Sequence, residues 1–279
     1  MSLRFVSAED VRARLDPAAA ADALEAALEA GLDPEAEQPR EQVALERGQL
    51  LVMPSAVGAH AAVKLVTIGG DPRIQGVCVV FDAATLAPTA VVDGIALTNL
   101  RTAAVSALAV RHLAAPDARR LLVLGRGPQA HAHVEAMRAV RPIERVDMLG
   151  RERGDVSSLV ASADIVCCCT TAREPLFDGL LVADHATVVA IGSHEPGSRE
   201  TDDALAVRAT VVVESRAAAL REAGDVIGAI AAGGVDEQEL VTLADLVRGD
   251  AIADPARPRL FKSTGMAWED AVVAGALVA

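Results

Sequence analysis

The chain has 279 residues, 52% of them hydrophobic and 23% charged, which is enough apolar material for one large domain or two ordinary ones. Its 26 basic residues face 39 acidic ones, and the resulting formal charge of −13 repels phosphate backbones, so a small molecule is expected as the partner and nucleic acid is not. No run of about 18 uncharged apolar residues occurs, and Arg4, Glu9, Asp10, Arg12 and Arg14 break up the N-terminus, so neither a membrane span nor a secretory signal is expected and the reading is cytoplasmic.

In chain order, Ser7 followed by Asp10 resembles a capping box for a helix running to Leu15. Asp16-Pro17 then starts an Ala-rich helix ending near Gly31. Residues 42–93 change texture: short β-branched runs at 62–68, 77–81 and 89–92, punctuated by Gly, Pro and Asp, predict an antiparallel sheet. A helix is predicted over 98–114, with Arg101 near its start. From Arg119 onward, continuous apolar runs at 121–124, 146–149, 165–169, 187–191 and 210–213 alternate with helical segments, the pattern of a parallel sheet covered on both faces. A Pro-containing linker, Asp254 to Pro258, precedes a final segment that is helical after Gly265 and is expected to return to the first domain.

Few residues carry chemistry. Cys78 and the contiguous Cys167, Cys168 and Cys169 suit neither a disulfide framework nor a tetrahedral metal site. His131 and His133, two apart on a helix, face different directions, and no metal is expected. All but two of the basic residues are arginine, so Lys64 and Lys262 stand out as amines able to exchange a proton where a guanidinium cannot. Lys64, on an apolar strand, is expected to be desolvated and lowered in pKa; the alternative is a strand-edge lysine. Lys262 is expected to steady its own turn.

After the predicted strand 121–124 comes Gly125-Arg126-Gly127-Pro128-Gln129-Ala130, a G-x-G-x-x-A turn opening a helix to Val140. Such a turn lets backbone approach a pyrophosphate at a helix N-terminus, and its strand-turn-helix setting with a second strand about 20 residues on predicts a dinucleotide site. An ordinary glycine turn is the alternative. The second strand ends in Leu149-Gly150-Arg151-Glu152-Arg153. Arg151, where an NAD site usually has an acid, favours NADP(H), while Glu152 would serve NAD if the strand ended a residue later. Thr170 and Thr171, at the carboxyl end of the strand holding the Cys run, are expected to meet the cofactor. Only twelve residues separate Arg151 from Asp164, so one crossover is expected to be abbreviated.

Taken together, Met53-Pro54, Lys64-Leu65-Val66, Asp93-Gly94, Leu97-Thr98-x-x-Arg101-Thr102-Ala103-Ala104-x-Ser106, the turn from Gly125 to His133, Glu222-x-Gly224-Asp225 and Phe261-Lys262-Ser263-x-Gly265-x-Ala267-x-x-Asp270 resemble the ornithine cyclodeaminase/mu-crystallin family across nearly the whole chain. That family includes ornithine and lysine cyclodeaminases, alanine dehydrogenases, ketimine and pyrroline-2-carboxylate reductases, and crystallin homologues that bind NADPH and thyroid hormone. The resemblance implies an α/β fold in which a Rossmann-type parallel-sheet domain, 116–259, is inserted into a discontinuous α+β substrate and dimerisation domain, 1–115 plus 260–279. It implies a homodimer, a bound NADP or NAD, and a small α-imino or α-amino acid substrate whose carboxylate is held by Arg40 and Arg101, with Lys64 beside it. Thr98, Ser263 and Gly265 are expected on the cofactor side. Cyclodeaminases of the ornithine type carry an Asp where this chain has His194, and that Asp handles the distal amine. His194 supplies no carboxylate but is suited to act as a general acid, with an ordinary loop histidine as the alternative. The expected activity is therefore an NAD(P)H-dependent oxidoreductase on a C–N bond, of the ketimine or pyrroline-2-carboxylate reductase or alanine dehydrogenase type. The alternatives are ornithine cyclodeamination with bound NAD and a non-catalytic, crystallin-like NADPH-binding protein; scarce aromatics argue against a thyroid-hormone-like ligand.

Overall fold

After a three-residue strand, β1 (Arg4–Val6), the expected capping box forms: the Ser7 hydroxyl accepts the Asp10 amide at 3.2 Å and the Asp10 carboxylate accepts the Ser7 amide at 3.0 Å, opening α1 (Ala8–Arg14). Asp16 caps the next helix through the Ala19 amide at 2.8 Å, and Pro17 leads α2 (Pro17–Glu29), which buries Ala20, Ala21, Leu24 and Leu28 along one stripe. The computed structural model describes residues 3–151 and 154–279. The chain divides into two units, Met1–Val105 with Met266–Ala279, and Ser106–Gly265.

In the first unit, β2 (Glu41–Leu45), β3 (Gly48–Val57), β4 (His60–Ile68), β5 (Ile74–Asp82) and β6 (Pro88–Asp93) form an antiparallel meander, and β1 adds to its edge in parallel to β6, giving the order β1-β6-β5-β4-β3-β2. Alternation on β4 sends Ala62, Lys64 and Val66 to the buried face. Lys64 there lies opposite Met53 of β3 and Cys78 of β5, both buried. Helix α3 (Gly94–Leu113) begins four residues before the expected start, because the Asp93 carboxylate accepts the Ile95 and Ala96 amides at 3.0 and 2.8 Å. Arg101 is therefore two turns inside the helix rather than near its start, in a stretch, 101–110, that is buried on every side.

The second unit begins within α3 and is an all-parallel sheet: β7 (Arg120–Leu124), then α4 (Pro128–Val140), β8 (Arg145–Leu149), α5 (Val156–Ser162), β9 (Ile165–Cys168), β10 (Thr187–Ala190), α6 (Asp203–Arg208), β11 (Thr210–Val213), α7 (Arg216–Glu222), α8 (Gly224–Ala231), β12 (Val241–Thr242), α9 (Leu243–Arg248) and β13 (Arg259–Lys262). The order is β12-β11-β13-β10-β9-β7-β8. The abbreviated crossover is α5, seven residues long.

One expected boundary is corrected here. Residues 260–262 do not leave with the C-terminal helix; as β13 they fill the sheet between β10 and β11, and the second unit runs on to Gly265. The other seam falls at Val105, inside α3, ten residues before the expected one. The chain then rejoins the first unit as α10 (Ala267–Val278), which packs across β3 and β4 and against α2 and buries nearly every residue. No helix of the described residues is long and apolar enough to cross a membrane.

Candidate active site

The first unit holds a buried charge cluster. The Lys64 ammonium, 2% exposed as a residue, reaches the Asp270 carboxylate of α10 at 2.8 Å to Oδ1 and 2.7 Å to Oδ2. Arg101 donates from Nε to the same Oδ1 at 3.1 Å and from Nη1 to Glu269 at 2.7 Å. Two cations and two carboxylates thus compensate one another away from water, the condition under which buried charges persist. Desolvation, and then the Arg101 charge, push the Lys64 pKa down to about 8, against the opposing pull of Asp270; Arg40, half-buried just before β2, lowers it further. The Arg40 and Arg101 charges thus both bear on Lys64. Cys78, opposite Lys64, is buried and its thiol is pushed up to about 12, so it is no nucleophile.

Glu269 and Asp270 are the site residues that sequence reasoning missed as participants. A signal existed: they are the only charged residues in a helix otherwise built of apolar side chains and glycine. Which partners they take depends on the C-terminal segment packing over β4, which no local pattern reveals.

The second unit presents the glycine turn as expected. Gly125 has φ of +134° and donates its amide to Leu149 O at 2.7 Å; a Cβ there collides with the Cys169 carbonyl, so only glycine fits. Gly127 is the N-cap of α4 and gives it no side-chain cap, Pro128 takes the first helical position, and a Cβ at Gly127 meets nothing within 4 Å. An uncapped helix N-terminus facing open space through a glycine fits a pyrophosphate. Ala130 is buried beneath it. The Gln129 carbonyl accepts from His133 Nδ1 at 2.8 Å, so His133 Nε2 accepts from the Ser106 hydroxyl at 2.9 Å. Burial lowers His133 to about 4, and the neutral ring ties α4 to α3.

At the carboxyl ends of the neighbouring strands, buried Glu200 gathers the loops. It accepts the Thr170 amide and hydroxyl at 2.8 and 2.7 Å and the Gly192 amide at 2.7 Å. Burial raises its pKa despite Lys262 and these donors. Lys262, at the end of β13, donates to Ser193 O at 2.7 Å and pairs with Asp225 at 3.0 Å. Burial raises Asp225, but Lys262 and the Thr201 and Glu200 amides outweigh it and leave it lowered. Lys262 thus steadies the loop after β10.

The remaining expected residues are dispersed. Glu214 engages the Ser263 hydroxyl at 2.6 Å and the Gly265 amide at 3.0 Å. Thr98 lies in the first unit on α3 and donates to the Gly94 carbonyl at 2.7 Å. Thr171 is exposed, His194 is half-buried in the loop after β10, and Arg151 is exposed at the end of β8. Glu152 and Arg153 lie outside the described residues. Among the described residues no three of His, Cys, Asp or Glu are grouped to hold a metal.

A parallel-sheet unit with a glycine turn, carried within a β-rich unit that buries a lysine, an arginine and two carboxylates, defines a two-unit dinucleotide-binding class. Within that class, the chain belongs to the ornithine cyclodeaminase/mu-crystallin family, whose model matches residues 2–157 and 151–278. It is 35% identical to the mouse ketimine reductase mu-crystallin, over 97% of this chain and 95% of that one. It is 34% identical to the Delta(1)-pyrroline-2-carboxylate reductase of Colwellia psychrerythraea, over 74% of this chain and 73% of that one. Among solved structures, the Thermococcus litoralis Delta(1)-pyrroline-2-carboxylate reductase in complex with NADH and L-proline superposes with a TM-score of 0.92 at 25% identity, over 99% of this chain and 96% of that one.

Proposed function

We propose that the protein is an NAD(P)H-dependent reductase of small cyclic α-imino acids, of the pyrroline-2-carboxylate or ketimine type. The observation that carries this reading is the buried Lys64 ammonium, lowered to about 8 and held by Asp270 beside Arg101. The turn from Gly125 to Ala130 and the N-terminus of α4 hold the dinucleotide, which when bound supplies hydride to the substrate α-carbon. Arg40 and Arg101 bind the substrate carboxylate by charge-assisted hydrogen bonds, with Glu269 and Asp270 fixing the Arg101 guanidinium in one orientation. Lys64 gives its proton to the imine nitrogen, so that one hydride on carbon and one proton on nitrogen convert C=N to CH–NH. An amine near its pKa at working pH both donates and is reprotonated readily, which an arginine in this position does not do.

His194 supports reduction over cyclodeamination, since a substrate's distal ammonium finds no carboxylate there. The test is a panel of cyclic imino acids, α-keto acids with ammonia or amines, and amino acids including ornithine, each with NADPH and NADH, followed by nicotinamide absorbance. Loss of absorbance with a five- or six-membered cyclic imino acid is expected. Ammonia release from ornithine without net cofactor turnover identifies a cyclodeaminase instead, and binding of NADPH with no turnover of any compound identifies a binding protein.

The working unit is proposed to be a homodimer. Strand β2 forms one edge of the six-stranded sheet with all five residues exposed, Val43 and Leu45 among them, and an apolar unpaired edge is a template for a second copy.

A further inference from the structure

Arg126 occupies the variable position between the two glycines of the turn and is exposed. Its side chain runs across Gly150: a Cβ built on Gly150 would stand 3.2 Å from Arg126 Cδ and 3.3 Å from Nε, so a side chain at 150 would press on it. The next residue is Arg151, also exposed. The strands that carry these two arginines, β7 and β8, are hydrogen-bonded neighbours with Leu124 opposite Leu149, so the turn after β7 and the end of β8 lie side by side. In a parallel sheet of this kind the adenosine ribose sits at the end of the second strand, close to the turn that follows the first.

We propose that Arg126 and Arg151 clamp the 2′-phosphate of NADP(H), with Arg126 the specificity-determining member. This rests on the reading that the dinucleotide binds at the Gly125 to Ala130 turn, and extends it to a residue that the glycine pattern treats as free. A guanidinium laid across the Gly150 backbone presents its fork to the ribose edge, and a phosphate dianion offers oxygens for paired hydrogen bonds that a 2′-hydroxyl lacks. The seven-residue α5 leaves little protein to enclose the adenosine, which makes these two cations the principal recognition elements among the described residues at that end.

The experiment is calorimetric titration of the full chain with 2′,5′-ADP and 5′-AMP, and separately with NADPH and NADH. These readouts do not depend on turnover. The wild type is expected to bind 2′,5′-ADP more tightly than 5′-AMP by about 10- to 100-fold, the range of a charge-assisted pair. Arg126→Ala is expected to remove at least about tenfold of that preference while 5′-AMP and NADH still bind, which also reports that the variant is folded. Gly150→Val, whose branched side chain crowds the Arg126 side chain, is expected to act in the same direction, and Arg126→Lys to retain part of the preference. Equal affinity for the two nucleotides, or an unaltered ratio in Arg126→Ala, overturns the clamp while leaving the reductase reading intact. Failure of NADPH and NADH alike to bind overturns the dinucleotide reading itself, and the clamp with it.

Discussion

Lys64 is the residue on which the proposed reduction turns, and its environment sets a pH signature. A lysine whose folded pKa lies near 8 is protonated below that value and loses its proton above it. If the ammonium donates to the imine, log kcat/KM for reduction is flat below about pH 8 and falls with unit slope above it, while oxidation of the amino acid rises through the same value. The linkage sign follows from the same shift: between about 8 and 10.5 the unfolded chain binds a proton that the native state has released, so this group makes stability rise with pH in that window. Asp270→Asn removes the carboxylate that holds the Lys64 value up. The alkaline limb of the profile is expected to move to lower pH, and thermal unfolding is expected to report a loss of about 3–5 kcal/mol for leaving buried cations short of a partner. A profile unmoved by that substitution separates Asp270 from the proton step. Lys64 was legible in the sequence because lysine is nearly absent from it, and Arg101 through its motif. The partners Glu269 and Asp270 were not, because a carboxylate's role is decided by what packs against it 168 or more residues away in sequence.

At the scale of elements, the apolar β-branched runs and the glycine turn made most strands and α4 legible, since period-two alternation and continuous apolar stretches are local signals. β13 escaped because its four residues follow a Pro-containing linker and join the sheet between two strands far earlier in the chain. β1 escaped because three residues are too few to show a period. The early start of α3 came from Asp93 acting as its cap, a role that a residue closing a predicted strand does not advertise. Edge strand β2 carries its own prediction. Sedimentation equilibrium of the wild type is expected to give about twice the 28.8 kDa chain mass, and Val43→Lys with Leu45→Lys, which places charge along that edge, is expected to shift it toward the single-chain value. A wild type that sediments as a single chain contradicts the dimer, and a charged variant that stays dimeric moves the interface away from β2.

At the scale of the whole molecule, chain order separates the two tasks. The N-terminal sheet and the returning α10 assemble the buried Lys64, Arg101, Glu269 and Asp270 cluster, and the inserted parallel sheet supplies the dinucleotide turn. The α/β class was legible from the change of texture near Arg119 and the insertion from the family resemblance, but the seams were not, because one falls inside a continuous helix and a continuous strand crosses the place where the other was expected. The measurement that bears most directly on the account is steady-state reduction of a cyclic α-imino acid by Lys64→Met, with the NADPH dissociation constant measured on the same preparation. The account predicts a fall in kcat of about 10²- to 10⁴-fold, the usual worth of a positioned general acid, at unchanged NADPH affinity. Turnover within a few-fold of the wild type, with the alkaline limb near pH 8 still in place, would contradict it.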